Sequence, residues 1–280
     1  MTTIGFFGLG RMGGPMAGHL VAAGHRVIGY DPSPAAREAA REVGVEAVED
    51  LEGVVAPVIL SSLPDGPEVE EVYLGGLLDR LEPGALLLDM STIDVDTSRQ
   101  IAAAATERGH RFLDCPVSGT STHAVAGTLA VMVGGDADAA AQARPYLGAF
   151  SASVHHLGPN GSGLEMKLIT NRLLNAHVVA IAEAILEMEG AGLDTAACIE
   201  LLRQGAVPKL LDYKAGPMAR RDHAPLFTVD LMAKDLRLAA RRRQAGKVGS
   251  EAAALLFAAQ ERGWGSSDIS AVIEVLAPTA

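Results

Sequence analysis

The sequence predicts an α/β chain in two parts: a parallel-sheet domain over residues 1–160, then an all-helical domain over 161–280 built around one long helix. Two observations carry this reading. The first half alternates short β-rich runs with alanine-rich helical stretches, at the spacing of βαβ units whose parallel sheet is covered by helices. After Gly158 the strand signal stops, and an apolar stripe of helical period takes over.

In order, the strand-like runs are Thr3–Gly8, Arg26–Tyr30, Val58–Leu60, Ala85–Asp89 and Arg111–Asp114, followed by the pair Leu129–Gly134 and Val154–His156. Helix-compatible stretches lie between the earlier ones, at Pro15–Ala23, Pro34–Val43 and Asp96–Arg108. From Leu164 to Ala191 the chain reads as one helix, with Leu168, Leu174, Val178, Ile181, Ile185 and Met188 as its stripe. A helix of that length spans roughly 40 Å. Thr195–Gln204, Leu231–Ala245, Glu251–Arg262 and Asp268–Leu276 complete the helical half, with no flexible linker or internal repeat.

Composition narrows the function. Hydrophobic residues make up 49% and charged residues 20%, which gives a folding chain ample core. A net charge of −11 is wrong for a nucleic-acid partner, since phosphate binding needs clustered Lys and Arg. The basic run Arg241-Arg242-Arg243 reads as a solvated helix face. The opening residues lack a basic targeting region, and no apolar stretch reads as the ~20 residues of a membrane helix. Cys115 and Cys198 are far apart and match neither a metal site nor a disulfide framework, so a cytoplasmic setting is expected.

Gly8-Leu9-Gly10-Arg11-Met12-Gly13 stands between the first strand and the first helix. Glycines there permit a tight turn and close backbone approach, so that helix N–H groups hold a pyrophosphate. Asp31, at the end of the second strand, suits the two hydroxyls of an adenosine ribose and repels a 2′-phosphate. The first domain therefore reads as a Rossmann-type dinucleotide domain, with NAD favoured and NADP the second choice because of the nearby Arg37. Asp31 also has a plainer reading, as a turn-former before Pro32. Ser62-Leu63-Pro64 and Ser91-Thr92 follow further strand ends, where ligands of such sheets lie.

Lys167 and Asn171, four apart at the start of the long helix, share one face, with Gly163 a turn before them. A partly desolvated lysine exchanges a proton with a carbonyl or hydroxyl oxygen as hydride moves, and Asn171 can orient both partners. A solvated lysine beside a surface asparagine fits the spacing equally well. The small residue at Gly163 leaves room for a substrate or for a close backbone. His123 and the pair His155-His156 lack further ligands at metal spacing, so no metal is expected.

Four segments resemble the β-hydroxyacid dehydrogenase family, in particular its 3-hydroxyisobutyrate dehydrogenase branch. Phe7–Gly13, continuing through Met16-Ala17 to Gly24-His25, resembles its cofactor signature. Asp114–Thr120 resembles its substrate loop, Gly161–Asn171 its catalytic helix start, and Leu231–Leu236 a C-terminal motif whose lysine reaches the cofactor end of the site.

The resemblance implies a Rossmann domain followed by a helical domain that supports a homodimer or homotetramer. It implies a hydride transfer between NAD and a small 3-hydroxy acid, with Lys167 as general acid/base and Asn171 as its partner. Ser118, Gly119 and Thr120 would bind the substrate carboxylate. Leu63, Pro64, Thr92 and Lys234 would touch the nicotinamide half, with Lys234 also near the substrate and Asp31 on the adenosine ribose. Side chains near Val207–Tyr213 and Asp230–Met232 would line the pocket. Thr120, His19 and Thr170 depart from a common glycine and two frequent asparagines, which bears on substrate identity rather than reaction class.

Three other readings share parts of the pattern. An NADPH-dependent reductase of a short aldehyde acid (tartronate semialdehyde, glyoxylate or succinic semialdehyde) has the same lysine, and Asp31 leans against it. An imine reductase typically lacks that lysine. A non-catalytic nucleotide-binding module needs neither Lys167 nor the carboxylate loop.

Overall fold

The computed structural model describes residues 1–204, 210–242 and 246–277, without the side chains of Leu210 and Leu211. It forms two compact units, Met1–Lys167 and Leu168–Ala280.

The first unit runs β1 (Thr3–Phe7), α1 (Gly13–Ala22), β2 (Arg26–Tyr30), α2 (Pro34–Glu42), β3 (Glu46–Ala47), β4 (Val58–Ser61), α3 (Gly66–Val72), α4 (Leu78–Arg80) and β5 (Leu86–Asp89). It continues with α5 (Val95–Glu107), β6 (Arg111–Asp114), β7 (Val117–Ser118), α6 (Ser121–Ala126), β8 (Leu129–Gly134), α7 (Ala137–Leu147) and β9 (Ser151–Gly158). The strands make one sheet in the order β3-β2-β1-β4-β5-β6-β8-β7, with β9 on β8. Helical crossovers return each early strand parallel to its neighbour, because only a long connection brings the chain back to the same end. The sheet is not parallel throughout: β8 runs antiparallel to β6 and β7.

Burial explains the strand pattern. All four residues of β4 and of β5 are buried, so these central strands read as apolar runs rather than alternations. Ile4 and Phe6 of β1, Val58 and Leu60 of β4, and Leu86 and Leu88 of β5 join Met16, Ala17 and Leu20 of α1 in one core. Phe7 pairs with Tyr30 and with Ser61, Ser61 with Asp89, and Asp89 with Asp114. The carboxyl ends of five adjacent strands are thus in register along one edge.

The chain continues into α8 (Ser162–Gly190), and the second unit adds α9 (Thr195–Gln204), α10 (Leu210–Arg220), α11 (Val229–Arg242), α12 (Lys247–Ala259) and α13 (Ile273–Leu276). Val178, Ile181, Ala182 and Ile185 of α8 pack with Met218, Met232, Leu236, Leu256 and Ile269. By length and composition alone α8 could cross a membrane, which corrects the reading that no stretch is apolar enough. Its buried side chains serve the core of the second unit instead.

Several elements differ from the sequence reading. α3, α6, α7 and α10 were not expected; Gly216 and Pro217 inside α10 mask its pattern. The expected helix Asp268–Leu276 begins as a 3₁₀ turn, Ile269–Val272, before α13. The run expected through Arg262 leaves α-helical geometry at Gln260, where Gly263 takes φ +90°. The end of the expected helix at 243–245, Arg243 of the basic run, and Val207, Pro208 and Lys209 of the expected pocket lining lie outside the described residues.

Candidate active site

The glycine-rich turn is built by close approach. Gly8 has φ +86°, and a Cβ there would lie 2.2 Å from the Ser62 carbonyl oxygen. At Gly13 a Cβ would lie 1.8 Å from the Gly8 carbonyl oxygen, so α1 can pack on β1 only with glycine at this place. Gly10 has nothing within 4 Å of its added Cβ. Met12, preceding α1, gives no side-chain cap, and the Gly14 N–H donates to the Gly10 carbonyl at 2.9 Å, which closes the turn and leaves the Gly10–Gly13 backbone uncovered by any side-chain cap. Bare glycine next to an uncapped helix start fits a dinucleotide pyrophosphate.

Asp31 takes the plainer of its two expected roles, as a turn-former. Its Oδ1 accepts from the Ser33 N–H at 2.8 Å, which is the turn-forming reading. Its Oδ2 accepts from the Leu9 N–H at 2.8 Å and so fixes the glycine-rich turn. A carboxylate oxygen has lone-pair capacity for a second donor, such as a ribose hydroxyl. Arg37 donates to the carbonyls of Asp31 and Pro32 at 2.7 and 3.2 Å, so its guanidinium braces this turn.

Leu63, Pro64 and Thr92 follow β4 and β5. The Leu63 N–H donates to the Ser91 hydroxyl at 2.9 Å, which ties the two loops together. Beneath them Asp89 is fully enclosed; burial pushes its carboxyl up to about 6, although the Ser91 and Ser61 hydroxyls donate to it. The neighbouring Cys115 thiol is pushed well up by burial and by Asp114 and Asp89, which leaves it chemically quiet.

Ser118 ends β7 opposite Ala130 of β8. Gly119 adopts φ +136°, and a Cβ there would meet Leu129 at 2.7 Å and His123 at 3.0 Å. Thr120 then leads into α6, and its N–H donates to His123 Nδ1 at 3.2 Å, with its hydroxyl oxygen 2.9 Å from the same nitrogen. The His123 ring thus occupies the Thr120 N–H in this structure.

The start of α8 is bolted to the end of β6. The buried Asp114 carboxylate accepts from the Gly161 N–H at 2.7 Å and the Leu164 N–H at 3.0 Å. Burial raises this carboxyl, and the backbone donors oppose the rise. Gly163 leaves room for a close backbone rather than for a substrate: a Cβ would sit 2.4 Å from the Met132 carbonyl oxygen. Lys167 comes one turn later and is half-buried.

Asn171, a turn beyond Lys167 on the same helix, is buried in the second unit and donates from Nδ2 to Asp235 Oδ2 at 2.5 Å. Asp235 is itself buried, with Lys234 Nζ 3.4 Å from its other oxygen. Neither Asp114 nor Asp235 was read from the sequence as more than part of a motif. The available signal was a carboxylate at an apolar strand end and another within an amphipathic helix, positions that demand partners once buried. Among the described residues no group of three or more His, Cys, Asp and Glu could hold a metal; His156 instead engages the Gly135 carbonyl at 2.8 Å.

Comparison with known proteins matches the sequence to two family models. Residues 3–158 match the NAD binding domain of 6-phosphogluconate dehydrogenase. Residues 161–276 match the NAD-binding domain of NADP-dependent 3-hydroxyisobutyrate dehydrogenase. An NAD-dependent L-serine dehydrogenase of Pseudomonas aeruginosa is 38% identical over 100% of this chain and 99% of its own. A 3-hydroxyisobutyrate dehydrogenase of the same organism is 40% identical over 91% of this chain and 90% of its own. The solved structure of Mycobacterium tuberculosis 3-hydroxyisobutyrate dehydrogenase with L-serine superposes with a TM-score of 0.89 at 36% identity, covering 99% of this chain and 100% of that one. The chain therefore belongs to the β-hydroxyacid dehydrogenase family, as an NAD(P)-dependent enzyme that acts on the CH–OH group of a hydroxy acid.

Proposed function

We propose that this enzyme oxidises a small 3-hydroxy acid with NAD, 3-hydroxyisobutyrate or its close analogue serine, and that Lys167 carries the proton. The acids in the names of its relatives share a carboxylate and a hydroxyl on the third carbon, and differ in methyl or amino at the second. The observation that carries Lys167 is the anchoring of its helix. Asp114 and the Gly163–Met132 contact fix the first turn of α8 at the strand-end edge that also holds Gly8–Gly13 and Ser118–Thr120.

NAD, when bound, supplies the hydride acceptor. The backbone of Gly8, Leu9, Gly10, Arg11, Met12 and Gly13 holds its pyrophosphate, and Asp31 its adenosine ribose. Leu63, Pro64, Thr92 and Lys234 bound the nicotinamide half. Ser118, Gly119 and Thr120 bind the substrate carboxylate, and Asn171, held by Asp235, orients the hydroxyl. Lys167, as the neutral amine, takes the hydroxyl proton in oxidation and returns it in reduction.

Exposed Met166, Ile169 and Leu173 on α8 support a homodimer or homotetramer. The free Cys115 and Cys198 support a reducing, cytoplasmic setting.

Initial rates with NAD and NADP on 3-hydroxyisobutyrate, L-serine and other short hydroxy acids, and with NADH and NADPH on the matching aldehyde acids, test the whole reading. Turnover of a 3-hydroxy acid with NAD is expected. Turnover confined to aldehyde acids with NADPH would overturn both the substrate and the role of Asp31.

A further inference from the structure

Below the strand ends, Ser61, Tyr73, Asp89 and Ser91 form a buried polar cluster that the chemistry above leaves unused. Asp89 closes β5, whose other residues are all leucine. Its Oδ1 accepts from the Ser61 hydroxyl at 2.7 Å, the Ser91 hydroxyl at 2.6 Å and the Ser91 N–H at 3.2 Å. Its Oδ2 is buried without a hydrogen-bond partner.

A hydroxyl that donates to a carboxylate turns its lone pairs away from it. Ser91 then accepts the Leu63 N–H at 2.9 Å, and Ser61 faces the Tyr73 hydroxyl at 2.8 Å. The ionised carboxylate therefore sets the direction of the chain from Leu63 N–H through Ser91 to Asp89. Keeping it ionised is unfavourable, because the site is dry and Asp114 adds a like charge from β6. The other titratable groups against it are Tyr73 and Cys115, each held neutral by the same burial. A packed leucine would serve the core better, and a carboxylate retained in such a place marks a functional demand. Leu63 is followed by Pro64, and Ser91 by Thr92.

We infer that Asp89 is a positioning residue for the nicotinamide half of the cofactor: acting through the Ser91 hydroxyl, it locks together the two loops that carry Leu63, Pro64 and Thr92. This rests on the reading of those three residues as cofactor contacts. A proton on Oδ2 weakens Oδ1 as an acceptor and frees the Ser91 hydroxyl to turn, so Leu63 loses its fixed partner. NAD affinity falls with pH through the range in which Asp89 titrates, while ADP-ribose, which has no nicotinamide, is held as before.

The test is calorimetric titration of NAD and of ADP-ribose into the full chain between pH 5 and 8, for the wild type, Asp89→Asn, Ser91→Ala and Thr92→Ala. NAD binding by D89N and S91A is expected to weaken about tenfold at pH 7.5, the order of one charge-assisted hydrogen bond. ADP-ribose binding stays unchanged, and the acid-range pH dependence of NAD binding disappears in D89N. Wild-type NAD affinity in both variants would overturn the proposal, as would parallel loss of NAD and ADP-ribose. If T92A weakens NAD and the other two variants do not, the inference alone fails. If all three bind NAD normally, the assignment of these loops to the cofactor fails with it. Should D89N not fold, S91A carries the test, since it breaks the relay and keeps the carboxylate.

Discussion

The backbone of Gly163 rests against the carbonyl of Met132, so closely that a methyl group at Gly163 would come within 2.4 Å of the Met132 oxygen and 2.9 Å of Asp114. This contact, with the Asp114 hydrogen bonds, decides where α8 begins and where its next turn presents Lys167. Gly163→Ala is expected to lose roughly 1–3 kcal/mol of stability through overpacking. Turnover should fall with it while NAD affinity is kept. Urea denaturation and steady-state kinetics check both, and a variant with wild-type stability would show that the helix start can shift freely.

Lys167→Ala is expected to lower kcat by ~10²-fold or more, the scale of general acid–base catalysis, with NAD binding largely intact. Asn171→Ala should share the loss in kcat. It should also leave the buried Asp235 carboxylate without its 2.5 Å donor, so the protein is destabilised as well. Near-normal turnover by K167A in rapid-mix kinetics would refute the assignment.

Asp31→Ala removes the acceptor of both the Leu9 and the Ser33 N–H groups, as well as the proposed ribose contact. NAD should bind ~10-fold or more weakly, in line with losing charge-assisted hydrogen bonds. The gap between NAD and NADP should narrow, because a like charge no longer faces the 2′-phosphate. Fluorescence titrations with both cofactors measure the ratio, and an unaltered preference would leave Asp31 as a turn-former only.

Asp89 also leaves a mark on stability. Its carboxyl titrates at about 6 when folded, above its ordinary value of 3.8. Between those values the folded chain binds more protons than the unfolded one, so stability declines as pH rises through the window and levels off above it. The decline is on the order of 3 kcal/mol. Asp89→Asn should remove it, so that the variant gains on the wild type between pH 4.5 and 7. Urea melts of both proteins across that range decide the point, and parallel curves would show that burial does not raise the Asp89 carboxyl.

In the second unit, Lys214 Nζ meets Asp268 at 2.6 Å with both side chains buried, and Asp268 also takes the Leu226, Phe227 and Ser270 N–H groups. Burial would raise this carboxyl, but Lys214 and the backbone donors bring it below its ordinary value. Asp268→Ala strands the lysine charge in the core, and a loss of about 3–5 kcal/mol is expected. Thermal unfolding would read it directly, and a small shift would mean that water reaches Lys214.

Much of this molecule was legible in the sequence, for reasons of local physics. Glycines at 8, 10 and 13 between an apolar strand and a helix specify a turn that few other residues can make. The leucine-rich strands and the stripe on α8 declare their burial through composition and period. Other features were decided only when distant segments met. α10 hides behind Gly216 and Pro217, whose local preferences oppose a helix that packing of Ala215 and Met218 sustains. β8 reverses direction against β6 although nothing in its own residues encodes orientation. Asp89 and Asp235 read as unremarkable acids until burial removed their water, and their partners Ser61 and Asn171 lie 28 and 64 residues away. Periodicity and turn chemistry act over a few residues and are written in the chain. Desolvation and the partner it demands depend on the whole fold, and only the tertiary structure decides them.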